Sequence, residues 1–244
     1  MGSIVSNHST KAVKSIAREL DDGYRHRPGE MMRFFLAEIL VTWGFKPWMT
    51  VPDDVRSKIA RAISAYDAAI AEEEPFFDIL GPLYQELASH GGKQLLGQFF
   101  SPWPLAALMA TITEPWSTEI DAGRLAVACD PACGSGIMML ATAHTILNAQ
   151  GPAALKSWSF VGCDIDGICA RMMAIQFLAN CAVHRIEVGE VIVFCGDSLR
   201  VDQPKEIVVH ASAPGIKVAP ANAPYRQAML RNAAQSAGVV SENA

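Results

Sequence analysis

The stretch RLAVACDPACGSGIMMLATAHTILNAQ, residues 124–150, contains the pattern that decides the fold. The part up to Asp130 is an apolar run with the length of a buried strand, and the part after Gly136 has the length and composition of a helix. Between them, the small residues and glycines of DPACGSG allow a tight turn and let the backbone approach a ligand closely. The sequence therefore predicts a strand, a ligand-binding loop and a helix in succession.

The same alternation of strands and helices continues along the chain. The segments WSFVGCDID (158–166) and GICARMMAIQFLANCAVH (167–184) predict a strand and a helix, and GEVIVFCGDS (189–198) and KEIVVHASAP (205–214) predict two further strands. Such alternation is typical of an α/β fold with a doubly wound, mostly parallel sheet and helices on both faces. Ligands of these sheets bind beyond the carboxyl ends of the strands.

The first ninety residues predict a helical N-terminal domain, 1–90. Its segment 28–44 is apolar nearly all round, which indicates a buried helix. In segment 53–74 the apolar residues recur at steps of three and four, which places them on one helical face. We expect a ligand-binding domain over 91–215 and a C-terminal tail over 216–244 with one helix.

An acidic residue follows each of the first three predicted strands: Asp130, Asp164 and Asp197. One such acid alone is more typical of a cap or a turn. Three at successive strand ends indicate an adenosine-like ligand, because an acid at the end of the second strand can accept hydrogen bonds from both ribose hydroxyls. The loop lacks the GxGxxG fingerprint and the GKS/T ending, which argues against dinucleotides and nucleoside triphosphates.

Composition restricts the partners and the compartment. The net charge of −5 provides no basic footprint, so binding to DNA would need a local patch or a second subunit. The six cysteines form neither a CxxC pair nor a cluster at zinc spacing, which predicts buried thiols in a reducing cytoplasm and no metal site. The uncharged stretch 131–155 is interrupted by prolines, glycines and polar residues, so it does not predict a membrane span.

Four segments in order, GQFFSP (97–102), DPACGSG, GCDID (162–166, with Asn180 downstream) and GDSL (196–199), resemble the adenine-N6 DNA methyltransferases. The likeness is strongest to the modification subunits of type I restriction systems. It covers roughly residues 91–215, and the helical region before it also resembles that family's N-terminal domain. The resemblance implies a Rossmann-like methyltransferase sheet and S-adenosylmethionine as the cofactor.

The resemblance also implies a set of cofactor-binding residues. The segment like GQFFSP folds over the methionine end of the cofactor in the family, the glycine loop lines the methionine and sulfonium side, and the next two strand ends bind the ribose and the adenine. The residues at these positions are, in that order, Phe99, Phe100 and Ser101; Asp130, Ala132, Gly134 and Gly136; Asp164 for the ribose; and Ile165 and Asp197 for the adenine ring and its amino group.

The catalytic motif departs from the family pattern. These enzymes carry Asn or Asp, then Pro-Pro and an aromatic residue, at the end of the fourth strand, where the aromatic ring stacks on a flipped base. Here that place is occupied by HASAPG (210–215), in which Ser212 is the one acceptor at the motif position. The segment NAPY, from Asn222 to Tyr225, follows ten residues later and is the second candidate.

Two classes of function therefore remain open. The first is a DNA adenine methyltransferase, or its catalytic subunit, that takes sequence recognition from a partner. The second is a regulatory or interaction protein that keeps the cofactor pocket but has lost methyl transfer. The sheet is expected to be truncated after the fourth strand, and a bare strand edge is rarely left uncovered, so we expect a homo-oligomer or a heteromeric partner over that edge.

Overall fold

A computed structural model of the chain describes residues 5–23, 25–90, 100–113, 125–200 and 202–213. Within them, four helices form the N-terminal region: α1 (Val5–Glu19), α2 (Pro28–Thr42), α3 (Arg56–Glu72) and α4 (Leu80–His90). A short 3₁₀ turn, Asp53–Val55, leads into α3. This region confirms the helical character predicted for it.

The local sequence explains where these helices begin and which faces they bury. Pro28 occupies the first turn of α2, where its missing N–H costs nothing, and the Glu30 carboxylate accepts from the Arg27 backbone N–H at 2.9 Å. Eight of the fifteen residues of α2 are buried, as its apolar composition predicts. In α3 the predicted stripe lies inward, since Ile59, Tyr66 and Ile70 are all buried.

In the described residues from 100 onward there are four strands and four helices. The strands are β1 (Ala126–Asp130), β2 (Trp158–Asp164), β3 (Glu190–Cys195) and β4 (Glu206–Ser212), and the helices are α5 (Trp103–Ile112), α6 (Ile137–Gln150), α7 (Pro152–Leu155) and α8 (Gly167–Val183). The sheet has the order β1-β2-β3-β4. β1 pairs with β2 and β2 with β3 in parallel, so the predicted α/β fold with a mostly parallel sheet is confirmed.

The direction of β4 differs from our expectation. We expected the fourth strand to end beside the crevice at the carboxyl ends of β1 to β3, but β4 runs antiparallel to β3, with Glu206 opposite Cys195 and Ser212 opposite Glu190. The physical reason is the connection between these strands. Residues 196–205 are too few for the crossover of a dozen or more residues that a parallel neighbour requires.

The helical region and the sheet share one hydrophobic core. A single cluster of buried side chains joins Ile16, Phe35 and Ile59 of the N-terminal helices to Phe160 and Val191 of the sheet. The alternate residues of β2 and β3 point to the other face, where a smaller buried cluster contains Val161, Cys163, Ile192 and Phe194. No helix in the described part of the chain is both long and apolar enough to cross a membrane.

Candidate functional site

The glycine loop lies where β1 ends and α6 begins. The Asp130 carboxylate accepts from the backbone N–H of Ala132 at 3.0 Å, which forms the turn out of the strand. Gly134 has φ +54° and Gly136 has φ +94°, both in the left-handed region that favours glycine. Gly136 is the residue before the first turn of α6, so the loop delivers the chain directly into that helix.

Asp164, the last residue of β2, fixes the loop from the neighbouring strand. Its Oδ2 accepts from the N–H of Gly134 at 2.8 Å and its Oδ1 accepts from the N–H of Asp166 at 2.9 Å. Asp166 in turn caps α8 by accepting from the Ile168 N–H at 2.8 Å. One carboxylate therefore joins the glycine loop to the start of the next helix.

The Phe100 ring packs against the glycine loop at Gly134. A Cβ added at Gly134 would lie 3.1 Å from the Phe100 ring, so a larger residue would require the ring to shift by a few tenths of an ångström. On its other side, Phe100 contacts the ring of Tyr84 in α4, with 5.7 Å between the centroids. Pro102 is the extended N-cap residue of α5, which begins at Trp103 and carries Pro104 in its first turn.

These parts enclose a cavity of about 250 Å³ at the carboxyl ends of β1 and β2. Six of the ten residues predicted to bind the cofactor line it: Phe100, Ser101, Asp130, Ala132, Gly134 and Asp164. Four lining residues were not predicted: Cys133, Ile137, Met138 and Cys169. The signal for Ile137 and Met138 was available, because they directly follow the loop in the first turn of α6.

The charge of this cavity is negative. Burial raises the pKa of the Asp130 carboxyl, the Ala132 N–H lowers it in part, and the negative charge of Asp164 raises it further. Burial also raises the pKa of the Cys133 and Cys169 thiols, which keeps both neutral. Two carboxylates beside neutral thiols attract a cation and repel a phosphate.

The remaining predicted residues lie near this cavity or away from it. Ile165 follows Asp164 and is 73% exposed, and Asp197, two residues after β3, accepts from the Leu199 N–H at 3.0 Å. Both lie at the same edge of the sheet as the cavity but do not line it. Gly136 has a packing role, because a Cβ there would come within 2.7 Å of the Met173 side chain.

The structure does not bring Ser212 to the crevice. It ends β4 opposite Glu190, at the amino end of β3, whereas the crevice lies at the carboxyl end. The length of β3 separates the two places by about 16 Å. Phe99, Asn222 and Tyr225 lie outside the described residues.

A larger cavity of about 760 Å³ lies between β4 and the connection from α2 to α3. Three of its charged side chains are paired: Arg171 with Glu206 at 2.6 Å, and the Lys205 ammonium with the carbonyls of Arg200 and Gln203. The Arg171 guanidinium also stacks on the Trp48 ring at 3.9 Å. Of the predicted site residues that the structure describes, none lines this cavity.

The family model described as N-6 DNA methylase matches residues 73–240, more than half of the chain. The chain belongs to the N-6 DNA methylase family. The match begins just before α4 and includes the glycine loop, all four strands and the crevice. The resemblance noted in the sequence is therefore confirmed at the level of the family.

Three solved structures are similar to this N-6 DNA methylase. One is described as a class I S-adenosylmethionine-dependent methyltransferase from Listeria monocytogenes (14% identity, TM-score 0.43, 77% of this chain and 54% of that one). The second is described as a modification subunit of a type I restriction enzyme from Vibrio vulnificus (14%, 0.40, 75% and 55%). The third is a type I restriction-modification methyltransferase subunit from Streptococcus thermophilus (15%, 0.32, 71% and 36%). This chain thus spans about half the length of the first two.

Proposed function

We propose that this chain binds S-adenosylmethionine in the crevice beside Asp130 and Asp164 and belongs to an adenine-N6 DNA methyltransferase that takes DNA recognition from a partner subunit. The observation that carries the proposal is the cavity itself. Residues predicted from three separate segments of the sequence converge on it, at the carboxyl ends of parallel strands where such folds bind their ligands.

The donors and acceptors present fit this cofactor. Its sulfonium and its ammonium group are both positive, and the cavity offers the carboxylates of Asp130 and Asp164. The volume of about 250 Å³ is below the range of pockets that enclose a whole drug-sized ligand. The cavity therefore suits the methionine and ribose portions, with the adenine at its open side, where Ile165 is exposed.

Each residue has a role that follows from its chemistry. The Asp164 carboxylate has four lone-pair sites and uses two for backbone N–H groups, which leaves two for the ribose hydroxyls. Ile165 packs on the adenine ring and Asp197 accepts from its amino group. Phe100 and Ser101, with Phe99, cover the methionine end and exclude water.

When bound, S-adenosylmethionine supplies an electrophilic methyl group. Among the described residues, those that line the cavity include no side-chain amide to accept a hydrogen bond from a target amino group. Asn222 and Tyr225 are the proposed source of that acceptor and of the stacking ring. Ser212 is the weaker candidate, because β4 ends at the opposite edge of the sheet.

A partner surface is available on α5. Leu105, Leu108, Met109 and Ile112 recur at helical spacing on this helix, and each is at least 45% exposed. Exposed apolar side chains grouped in this way are typical of interaction sites. We propose that a partner subunit covers them and provides contact with DNA, in the cytoplasm, where the six free thiols stay reduced.

A second function, cofactor binding without methyl transfer, has one observation in its favour. The segment at the expected catalytic position ends far from the crevice, so the described residues bring acceptors for the proposed cofactor to the crevice but not the expected catalytic group. A protein of this kind would respond to the cofactor as a ligand and influence a partner.

Calorimetric titration with S-adenosylmethionine tests the proposal. We expect Asp164→Ala to weaken binding at least tenfold, because each hydrogen bond to a charged acceptor contributes about 1.5–3 kcal/mol. Asp202→Ala is the matched control, since this acid lies on an exposed loop and pairs with Arg200. Equal affinities for the natural chain and Asp164→Ala would exclude this site.

A further inference from the structure

A buried carboxyl group lies behind the crevice, in the segment that connects α3 to α4. Asp78 is 5% exposed. Its Oδ1 accepts from the Gly81 N–H at 2.9 Å and from Gln176 Nε2 at 2.8 Å, and its Oδ2 accepts from Ser135 Oγ at 3.3 Å. Burial raises the pKa of Asp78, and these three donors lower it in part. A carboxyl group buried this deeply requires such partners.

Gln176 extends the contact into a network. Its Oε1 accepts from the N–H groups of Ile79 and Leu80, both at 2.8 Å. Its Nε2 also donates to the backbone carbonyl of Ser135 at 2.8 Å. One side chain of α8 therefore holds the α3–α4 connection and the glycine loop together.

Ser135 is the part of the glycine loop that this network holds. It lies between the two positive-φ glycines and is fully buried, and both its hydroxyl and its carbonyl are engaged. Its neighbour Gly134 directs its N–H to Asp164 on the opposite side of the loop. The loop is thus fixed from two sides, by Asp164 at the crevice and by the Asp78–Gln176 pair behind it.

Asp78 and Ser135 lie so close to the backbone of Gly81 that this position also has no room for a side chain. A Cβ at Gly81 would lie 2.5 Å from Asp78 Oδ2 and 2.8 Å from Ser135 Oγ, so a larger residue there would displace both. The same helical region contacts the crevice a second time, where Tyr84 packs on Phe100. Two separate contacts therefore link the N-terminal helices to the cofactor crevice.

We propose that Asp78 is a positioning residue of the cofactor site: through Ser135 and Gln176 it holds the glycine loop in the conformation that presents Gly134 and Asp130 to the ligand. This proposal rests on the function proposed above. It gives the N-terminal helical region, in which the sequence shows no catalytic residue, a direct part in binding.

Two readouts on three variants test it. Asp78→Ala removes the acceptors, whereas Asp78→Asn keeps an oxygen for Gly81 and Gln176 and offers an N–H to Ser135 Oγ. Ile16→Ala truncates a buried side chain in α1 and is the control for lost stability. The readouts are amide hydrogen exchange of residues 133–136 without ligand and calorimetric affinity for S-adenosylmethionine.

We expect Asp78→Ala to speed exchange in the loop and to weaken cofactor binding, each at least about tenfold, as the loss of even one of the three buried hydrogen bonds of this carboxylate predicts. Asp78→Asn should restore both, and Ile16→Ala should change neither beyond its effect on global unfolding. If Asp78→Ala does not fold, Ser135→Ala removes the loop-side hydroxyl alone and should speed exchange in the same residues.

Loop exchange in Asp78→Ala or Ser135→Ala no faster than in Ile16→Ala would overturn the proposal, as would failure of Asp78→Asn to restore it. A natural chain that does not bind the cofactor would defeat the proposed function instead. The exchange measurement needs no ligand, so it still decides the role of Asp78.

Discussion

Asp130 and Asp164 line one small cavity, and their proximity predicts that binding of the proposed cofactor depends on pH. The pKa of Asp130 is raised by burial and by the charge of Asp164, so Asp130 becomes neutral at a higher pH than an ordinary aspartate. We expect affinity for the cationic cofactor to fall as the pH decreases from neutral into the acidic range in which Asp130 takes up a proton. Calorimetry over this range measures it.

Asp130→Asn is the matched variant for this pH effect. It should bind more weakly at neutral pH, because one negative charge is lost, and the pH dependence should flatten. The raised pKa also means that the ionised group destabilises the folded state above its unfolded pKa, a cost that protonation removes at lower pH. At neutral pH, Asp130→Asn should therefore unfold at the same denaturant concentration as the natural chain or at a higher one. A clear loss of stability in this variant would contradict the destabilising effect of ionised Asp130.

Gly134 provides a second prediction for a single residue. Alanine there must adopt φ +54° and would meet the Phe100 ring at 3.1 Å. We expect Gly134→Ala to lower the free energy of unfolding by about 1–2 kcal/mol and to weaken cofactor binding. Denaturant unfolding is the measurement, with Gly29→Ala as the control.

Gly29, in the first turn of α2, has open space around its Cβ position. Alanine at such a position should leave stability unchanged or raise it by up to about 1 kcal/mol. Equal effects of the two alanine substitutions would show that the loop does not require a left-handed residue.

The direction of β4 can be tested through one pair of side chains. Glu190 is fully buried, and its Oε1 lies 2.8 Å from His210 Nε2 across the β3–β4 pair. The other carboxylate oxygen of Glu190 accepts from Ser159 Oγ. A double-mutant cycle with Glu190→Gln and His210→Ala should give a coupling of about 0.5–1.5 kcal/mol. In a parallel pairing, residues 190 and 210 would lie about 13 Å apart, and a coupling near zero would contradict the antiparallel strand.

The secondary-structure elements were largely predictable from the sequence, but their pairing was less so. The apolar faces of α2 and α3 and the strand–loop–helix pattern around DPACGSG follow from local periodicity. The apolar run of β4 carries no information about direction, and the sequence signal was the short connection before it. The family pattern, with a parallel fourth strand, points the other way.

The sequence predicted the part of the site that follows from strand order, but not the part that follows from packing. Asp130, Gly134 and Asp164 lie at strand ends, and topology brings strand ends together. Asp78 and Ser135 are 57 residues apart, and a lone aspartate before a helix is most often a cap. Only packing shows that this carboxyl reaches the glycine loop.

At the scale of the whole molecule, the family match begins at residue 73, and the helical region before it shares one hydrophobic core with the sheet. The division of the chain at residue 90 stays a prediction, as does its catalytic activity. We expect the chain alone to transfer methyl groups to duplex DNA weakly or not at all. Extruding an adenine costs a few kcal/mol, and the net charge of −5 does not favour DNA.

Transfer of a labelled methyl group to mixed duplex DNA checks this expectation, with Asn222→Ala and Tyr225→Ala as comparisons. Robust transfer that both substitutions abolish would overturn it and assign NAPY as the catalytic motif. Robust transfer that neither affects would place the catalytic group at Ser212 or at another residue.

The central claim is that this N-6 DNA methylase binds its cofactor in the crevice beside Asp164. A crystal structure with the product analogue S-adenosylhomocysteine tests it most directly. The predicted result has the ribose hydroxyls within hydrogen-bond distance of Asp164 and the amino-acid end beside Gly134 and Phe100. Density for the ligand in the larger cavity beside Trp48 and Arg171, or an empty crevice at saturating ligand, would contradict the account.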